Sequence, residues 1–228
     1  MFRVAQEWNP RQALLKEIIL KNNRFDQAVE LCLEMHALVH AAEMPGLDTY
    51  EDQLWKGLSE ECFRAVLPGN SVSIAWNLWH ITRIEDITAN ILIAGDIQVF
   101  NSGKWQDRLR STAVDTGNAM SGQEIEAFSS QIDMIGLKNY RMEVGRKTRQ
   151  IIKELRPEQM KTKIQPVRIG RVLEEGGVLE AEESKWLLDF WGKKTVAGIL
   201  LMPITRHQIV HLNDSFKIKE KFSKLYRQ

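Results

Sequence analysis

Apolar residues recur at three- and four-residue spacing along most of the chain, the pattern of helices that bury one face. From residue 25 to 44 the stripe is Ala28, Leu31, Cys32, Met35, Leu38 and Val39, and Pro45-Gly46 stops it. Upstream, residues 9–21 read as a helix with Asn9 as its cap and Pro10 as its first residue, carrying Leu14, Leu15, Ile18 and Ile19 on one side. A shorter helical piece over 50–66 stops at Pro68-Gly69-Asn70. Ser71 or Ser73 then caps a helix that runs through Trp76, Trp79, Ile84 and Ile87 to Ala94 and ends at Gly95.

Residues 96–121 read as a long polar connection. Residues 124–155 read as a helix broken near Gly136 and closed by Pro157. Residues 157–177 fit either a short helix or an extended arm. Residues 182–224 read as two helices parted near Gly192, with Pro203 bending the second one turn before His207. Strand signal is slight. The expected fold is all-α: an up-down four-helix bundle with long connections and extra short helices, forming one domain over residues 1–228.

Composition narrows the function classes. The 228 residues are 43% hydrophobic and 27% charged, as in ordinary globular proteins. Lys and Arg number 31 against 30 Asp and Glu, so no basic excess points to nucleic acid. The tail lysines Lys217, Lys219, Lys221 and Lys224 read as a solvated helix end. No apolar run is long enough to span a bilayer, and the first residues lack a signal-peptide core, so a cytoplasmic location without membrane contact is expected. Cys32 and Cys62 have no metal-ligand or redox spacing, and Cys32 reads as a small buried hydrophobe.

Chemistry concentrates in the five histidines, His36, His40, His80, His207 and His211, all of which fall on expected helices. Two pairs stand at i, i+4, which stacks two imidazoles one turn apart on one face. His207 and His211 can therefore reach one ion, and His80 is the natural third ligand from another helix. A lone core histidine is more often simply hydrogen-bonded, so His80 draws its weight from the pair.

The stretch from Asn70 to Asp86, NSVSIAWNLWHITRIED, resembles the second-helix signature of the DinB-like proteins. The stretch from Leu201 to Asn213, LMPITRHQIVHLN, resembles their fourth-helix H-x-x-x-H motif. The resemblance implies a metal-binding four-helix bundle whose ligands are His80, His207 and His211. It further implies a divalent metal, zinc or nickel first, a low-molecular-weight thiol as co-substrate, a small-molecule substrate and a homodimer. Residues 165–177 and the N-terminal extension depart from the shortest members, which leaves pocket shape and partners open.

Other residues near these motifs carry weaker expectations. His36 and His40 could face the pocket for proton transfer or substrate orientation, or make polar contacts at the bundle rim. Asn77 and Arg83 could line the pocket, Arg83 equally pairing with Glu85 or Asp86 at the surface. Asp214 reads as a solvated acid rather than an imidazole partner, and Trp76, Trp79, Trp186 and Trp191 as core or pocket wall. An enzyme that activates a thiol or water at an open metal position is the leading reading. The alternative is a non-catalytic metal-binding or dimeric structural module. A ferritin-like di-metal site is excluded, because no histidine has Glu three residues before it.

Overall fold

The computed structural model describes residues 4–41 and 48–226; Met44 and the stop at Pro45-Gly46 lie outside them. A π-helical turn, Val4–Trp8, leads into α1 (Asn9–Ile18), so Asn9 is already helical and Trp8 takes the cap position. A 3-10 turn (Asn22–Arg24) precedes α2 (Phe25–Leu38). That helix ends two residues before His40, which therefore sits in the turn beyond it and not on a helix. The piece expected over 50–66 is two short helices, α3 (Tyr50–Trp55) and α4 (Glu60–Arg64), because Gly57 at φ 65° breaks it.

Ser73 caps α5 (Ile74–Asp86), its hydroxyl accepting from the Trp76 backbone N–H at 3.0 Å. The helix continues as a π segment, Ile87–Ala94, and stops at Gly95, whose φ of 75° is the left-handed end that glycine favours. The connection that follows is not irregular throughout: it holds α6 (Val99–Ser102) and α7 (Trp105–Leu109). The next region divides at Ile132–Asp133 rather than at Gly136, into α8 (Gly122–Gln131) and α9 (Met134–Glu154). Asp133 caps α9 by accepting the Gly136 N–H.

Residues 157–177 resolve into a 3-10 turn (Pro157–Lys161) and α10 (Pro166–Glu174). The reason for α10 is tertiary. Arg168 donates to the Leu92 and Ile93 carbonyls at 2.9 and 2.5 Å, and Arg171 donates to Gly95 at 3.0 Å. Two guanidinium groups thus close the exposed carbonyl end of the π segment, where positive charge is favoured.

The C-terminal region comprises α11 (Glu182–Gly192), α12 (Val196–Ile199), a π segment (Leu200–Arg206) and α13 (His207–Tyr226). Pro203 lies inside that π segment, where its missing N–H and bulky ring forbid regular α-helical bonding. Side chains add bonds to carbonyls of this segment: Thr205 donates to Leu200 at 2.8 Å and Gln12 to Leu201 at 3.0 Å.

The lysine tail is less solvated than expected. Lys219 donates to the carbonyls of Leu54 and Lys56 at the end of α3, and Lys221 donates to Pro68 and Asn70.

α5 lies against α9 on one side and α13 on the other, while α2 packs on α9 and on the π segment that precedes α13. Every residue of α5 is buried, its polar and charged side chains included, because other helices pack against it. Trp76, Trp79 and Trp191 join the core, whereas Trp186 is half exposed on α11. Cys32 is buried and its thiol is pushed up to about 12 by burial, in keeping with an inert core position. Among the described residues there is no strand beyond one isolated bridge, Lys163 to Thr195, and no helix is long and apolar enough to cross a membrane.

Candidate metal centre

The central helix presents its side chains to a strap made by residues 114–117. Arg83 Nε donates to the Val114 carbonyl at 3.0 Å and Trp79 Nε1 to Asp115 at 3.1 Å. His80 Nδ1 donates to Thr116 at 2.8 Å, and Trp76 Nε1 to Gly117 at 3.3 Å. Four successive carbonyls are therefore held by about two turns of α5, Trp76 to Arg83. Gly117 is required there: its φ is 76°, and a Cβ would stand 2.9 Å from Trp76 Nε1.

This strap decides the tautomer of His80. A carbonyl only accepts, so Nδ1 carries the proton and Nε2 keeps its lone pair. The ring is also stacked on Trp76, with centroids 4.6 Å apart and planes 8° from parallel. The same logic fixes His211, whose Nδ1 donates to Asn77 Oδ1 at 2.8 Å. Its Nε2 is thereby left free to ligate. His207 stands one turn before His211 on α13, and its Nε2 lies 3.2 Å from His80 Nε2.

The three rings form one cluster, with centroids 4.6 to 5.0 Å apart and candidate ligand atoms all within 4.8 Å of one another. Burial holds all three neutral. It drives His80 down to about 3, with help from His211 and against the Thr116 carbonyl; it drives His211 down to about 4 and His207 well below the ordinary range.

The donor set fits a divalent cation. Two bare imidazole nitrogens 3.2 Å apart repel unless a proton or cation lies between them. Two nitrogens bound to a common tetrahedral zinc are roughly 3.3 Å apart, given metal–nitrogen bonds of about 2.0–2.1 Å. Outward N–H groups of His80 and His211 each meet an oxygen, the arrangement that orients ligating histidines. His80 is buried while His207 and His211 are partly exposed, so the cluster opens toward the surface. Only histidines belong to this cluster among the described residues.

His36 and His40 are not at this cluster. Their Nε2 atoms meet the two oxygens of Glu85 at 2.8 and 2.9 Å, in a second buried group that can also hold a metal ion. Arg83 does not face the histidine cluster either. It is 1% exposed and donates to Val114, Tyr140, Gln98 and Asp86, so its pairing with Asp86 is a core contact and not a surface one. Asp214 is half exposed and pairs with Lys217.

Two partners escaped the sequence. Thr116 acts through its backbone, which leaves no trace in residue type. Glu85 did leave a trace, as an acid in the largely apolar helical stretch from Ile74 to Ala94.

The sequence profile of the DinB superfamily matches residues 51–214. The chain belongs to the DinB superfamily. The matched span takes in α5, α9 and both histidines of α13, while His36 and His40 precede it. A conserved protein from Enterococcus faecalis, known from a crystal structure, superposes with a TM-score of 0.55 at 13% identity. The alignment covers 85% of this chain and 94% of that one, so the two share their fold over that span. No curated protein matches the sequence.

Proposed function

We propose that His80, His207 and His211 hold one divalent cation, zinc or nickel, in a metal-dependent enzyme that attacks a small electrophilic molecule with a thiol or water. The reading rests chiefly on the 3.2 Å approach of the His80 and His207 Nε2 atoms, with the opposite nitrogen of His80 bound to Thr116. A cation with three protein ligands and an open position supplies Lewis acidity, lowering the pKa of a thiol or water brought to it.

The chain's own residues do the positioning. Thr116 and Asn77 fix the ring orientations of His80 and His211, and Trp76 walls one side of His80. The partly exposed edge formed by His207 and His211 is where a co-substrate would enter. The closed structural alternative needs a fourth protein ligand. His36 and His40, the expected candidates, are bound to Glu85 instead. The expected up-down bundle, single domain, cytoplasmic location and homodimer complete this reading.

The test is elemental analysis of wild type and His207→Ala, followed by a screen of thiol-dependent conjugation and of hydrolysis with the metal-loaded protein. One equivalent of metal that the mutant loses, with turnover that falls in parallel, supports the reading. A metal content unchanged from wild type in the mutant overturns the site; a metal-loaded protein inert in both screens favours the non-catalytic module.

A further inference from the structure

We propose that His36, His40 and Glu85 form a second, closed site for a divalent cation of the zinc class, independent of the three-histidine cluster. His36 Nε2 meets Glu85 Oε1 at 2.8 Å, and His40 Nε2 meets Oε2 at 2.9 Å. The two imidazoles stack with centroids 4.2 Å apart and planes 25° from parallel, so both nitrogens approach one carboxylate from the same side. Each residue offers one ligand atom, and a carboxylate bound through both its oxygens would bring the donors to the four that a structural zinc takes.

Burial sets this group apart from a surface ion pair. The Glu85 side chain is 0% exposed, that of His36 0% and that of His40 8%. A carboxylate in such a place requires a partner that cancels its charge or coordinates it. The nearby guanidinium of Arg141 is committed elsewhere: it pairs with Glu51 at 2.8 Å and donates to Val39 and Thr82. Glu85 is left with the two imidazoles as its hydrogen-bond partners.

The surrounding backbone keeps room for the rings. Gly145, in the middle of α9, has no side chain where a Cβ would fall 2.7 Å from His40 Nδ1 and 3.1 Å from Cε1. A glycine inside a helix weakens it, so its presence opposite the ring marks a space the fold preserves. An ion here would fasten α2 and its following turn to α5. Held among side chains that are almost wholly buried, it would be far less open to a substrate than the partly exposed histidine cluster.

The experiment counts metal in protein purified from zinc-supplemented cultures and washed with a weak chelator. Wild type, His207→Ala and Glu85→Gln are compared, and the retained zinc in His207→Ala is examined by X-ray absorption. Two equivalents in wild type and one in each variant are expected, the ion in His207→Ala showing two imidazoles and further oxygen ligands. One equivalent in wild type and none in His207→Ala overturns the proposal and leaves the cluster as a hydrogen-bonded clasp. So does an absorption spectrum without two imidazoles. Equal counts in wild type and His207→Ala with a loss in Glu85→Gln would instead sink the three-histidine site and keep this one. Should Glu85→Gln fail to fold, the count and spectrum of His207→Ala still decide.

Discussion

Asn77 on α5 and His211 on α13 meet through a single hydrogen bond, Nδ1–H to Oδ1 at 2.8 Å. The bond joins two helices and at the same time fixes which nitrogen of His211 is free. Asn77→Leu keeps the volume but removes the acceptor, and losses of outer partners of this kind weaken metal affinity about 10–100-fold. Asn77→Asp retains an acceptor and should keep affinity near wild type. Competition against a chromophoric chelator measures both, and equal affinity in Asn77→Leu would detach this contact from metal binding.

Arg83 is expected to matter for the fold and, through it, for His80. Its guanidinium ties the 114–117 strap, Asp86, Tyr140 and Gln98 into one buried network. Burial raises the Asp86 carboxyl against the opposing effect of Arg83, and Tyr140 and the Val99 and Phe100 N–H groups also bond to it. Arg83→Met strands that acid, and breaking a buried pair from one side costs about 3–5 kcal/mol. Urea unfolding of the metal-free protein should show a loss of that order. A loss below about 1 kcal/mol would mean that the strap is held without it.

How far the sequence foretold this arrangement depended on the range of the interactions. The i, i+4 pair on α13, the Ser73 cap and the Gly95 stop are local signals, and each is found where its residue type pointed. α10 was ambiguous because its role is set by Arg168 and Arg171 reaching carbonyls about 75 residues away in sequence. His40 was placed on a helix because the apolar stripe continues past Leu38, although the helix itself does not. The clustering of His36 and His40 on Glu85, 49 and 45 residues distant, follows from the packing of α2 on the core and no spacing rule reports it.

Removing metal should lower thermal stability without changing the fold. A ligand that binds only the folded state at a hundred times its dissociation constant adds about 2.7 kcal/mol. For a chain of this size that raises the unfolding midpoint by roughly 5–10 °C. Calorimetry with zinc and with a strong chelator should show such a gap in wild type and a clearly smaller one in His207→Ala. An identical midpoint with and without chelator would argue that no folded-state ion is bound.

Acid should unfold the metal-free protein earlier than its carboxylates alone would dictate. His36 is driven down to about 4 by burial and by His40, against the pull of Glu85; burial also takes His80 to about 3 and His211 to about 4. In the unfolded chain each titrates near its ordinary value of about 6.5. Between about pH 6.5 and pH 4 the unfolded state therefore binds more protons than the native state, and stability falls as pH falls. Each such group contributes a slope approaching about 1.4 kcal/mol per pH unit in that window. Above about pH 7 all are neutral in both states and the slope vanishes. Denaturant midpoints measured from pH 7.5 to 4.5 should decline steadily, and His211→Gln should flatten the decline. A midpoint constant down to pH 5 would show that these imidazoles become protonated in the native protein with little cost.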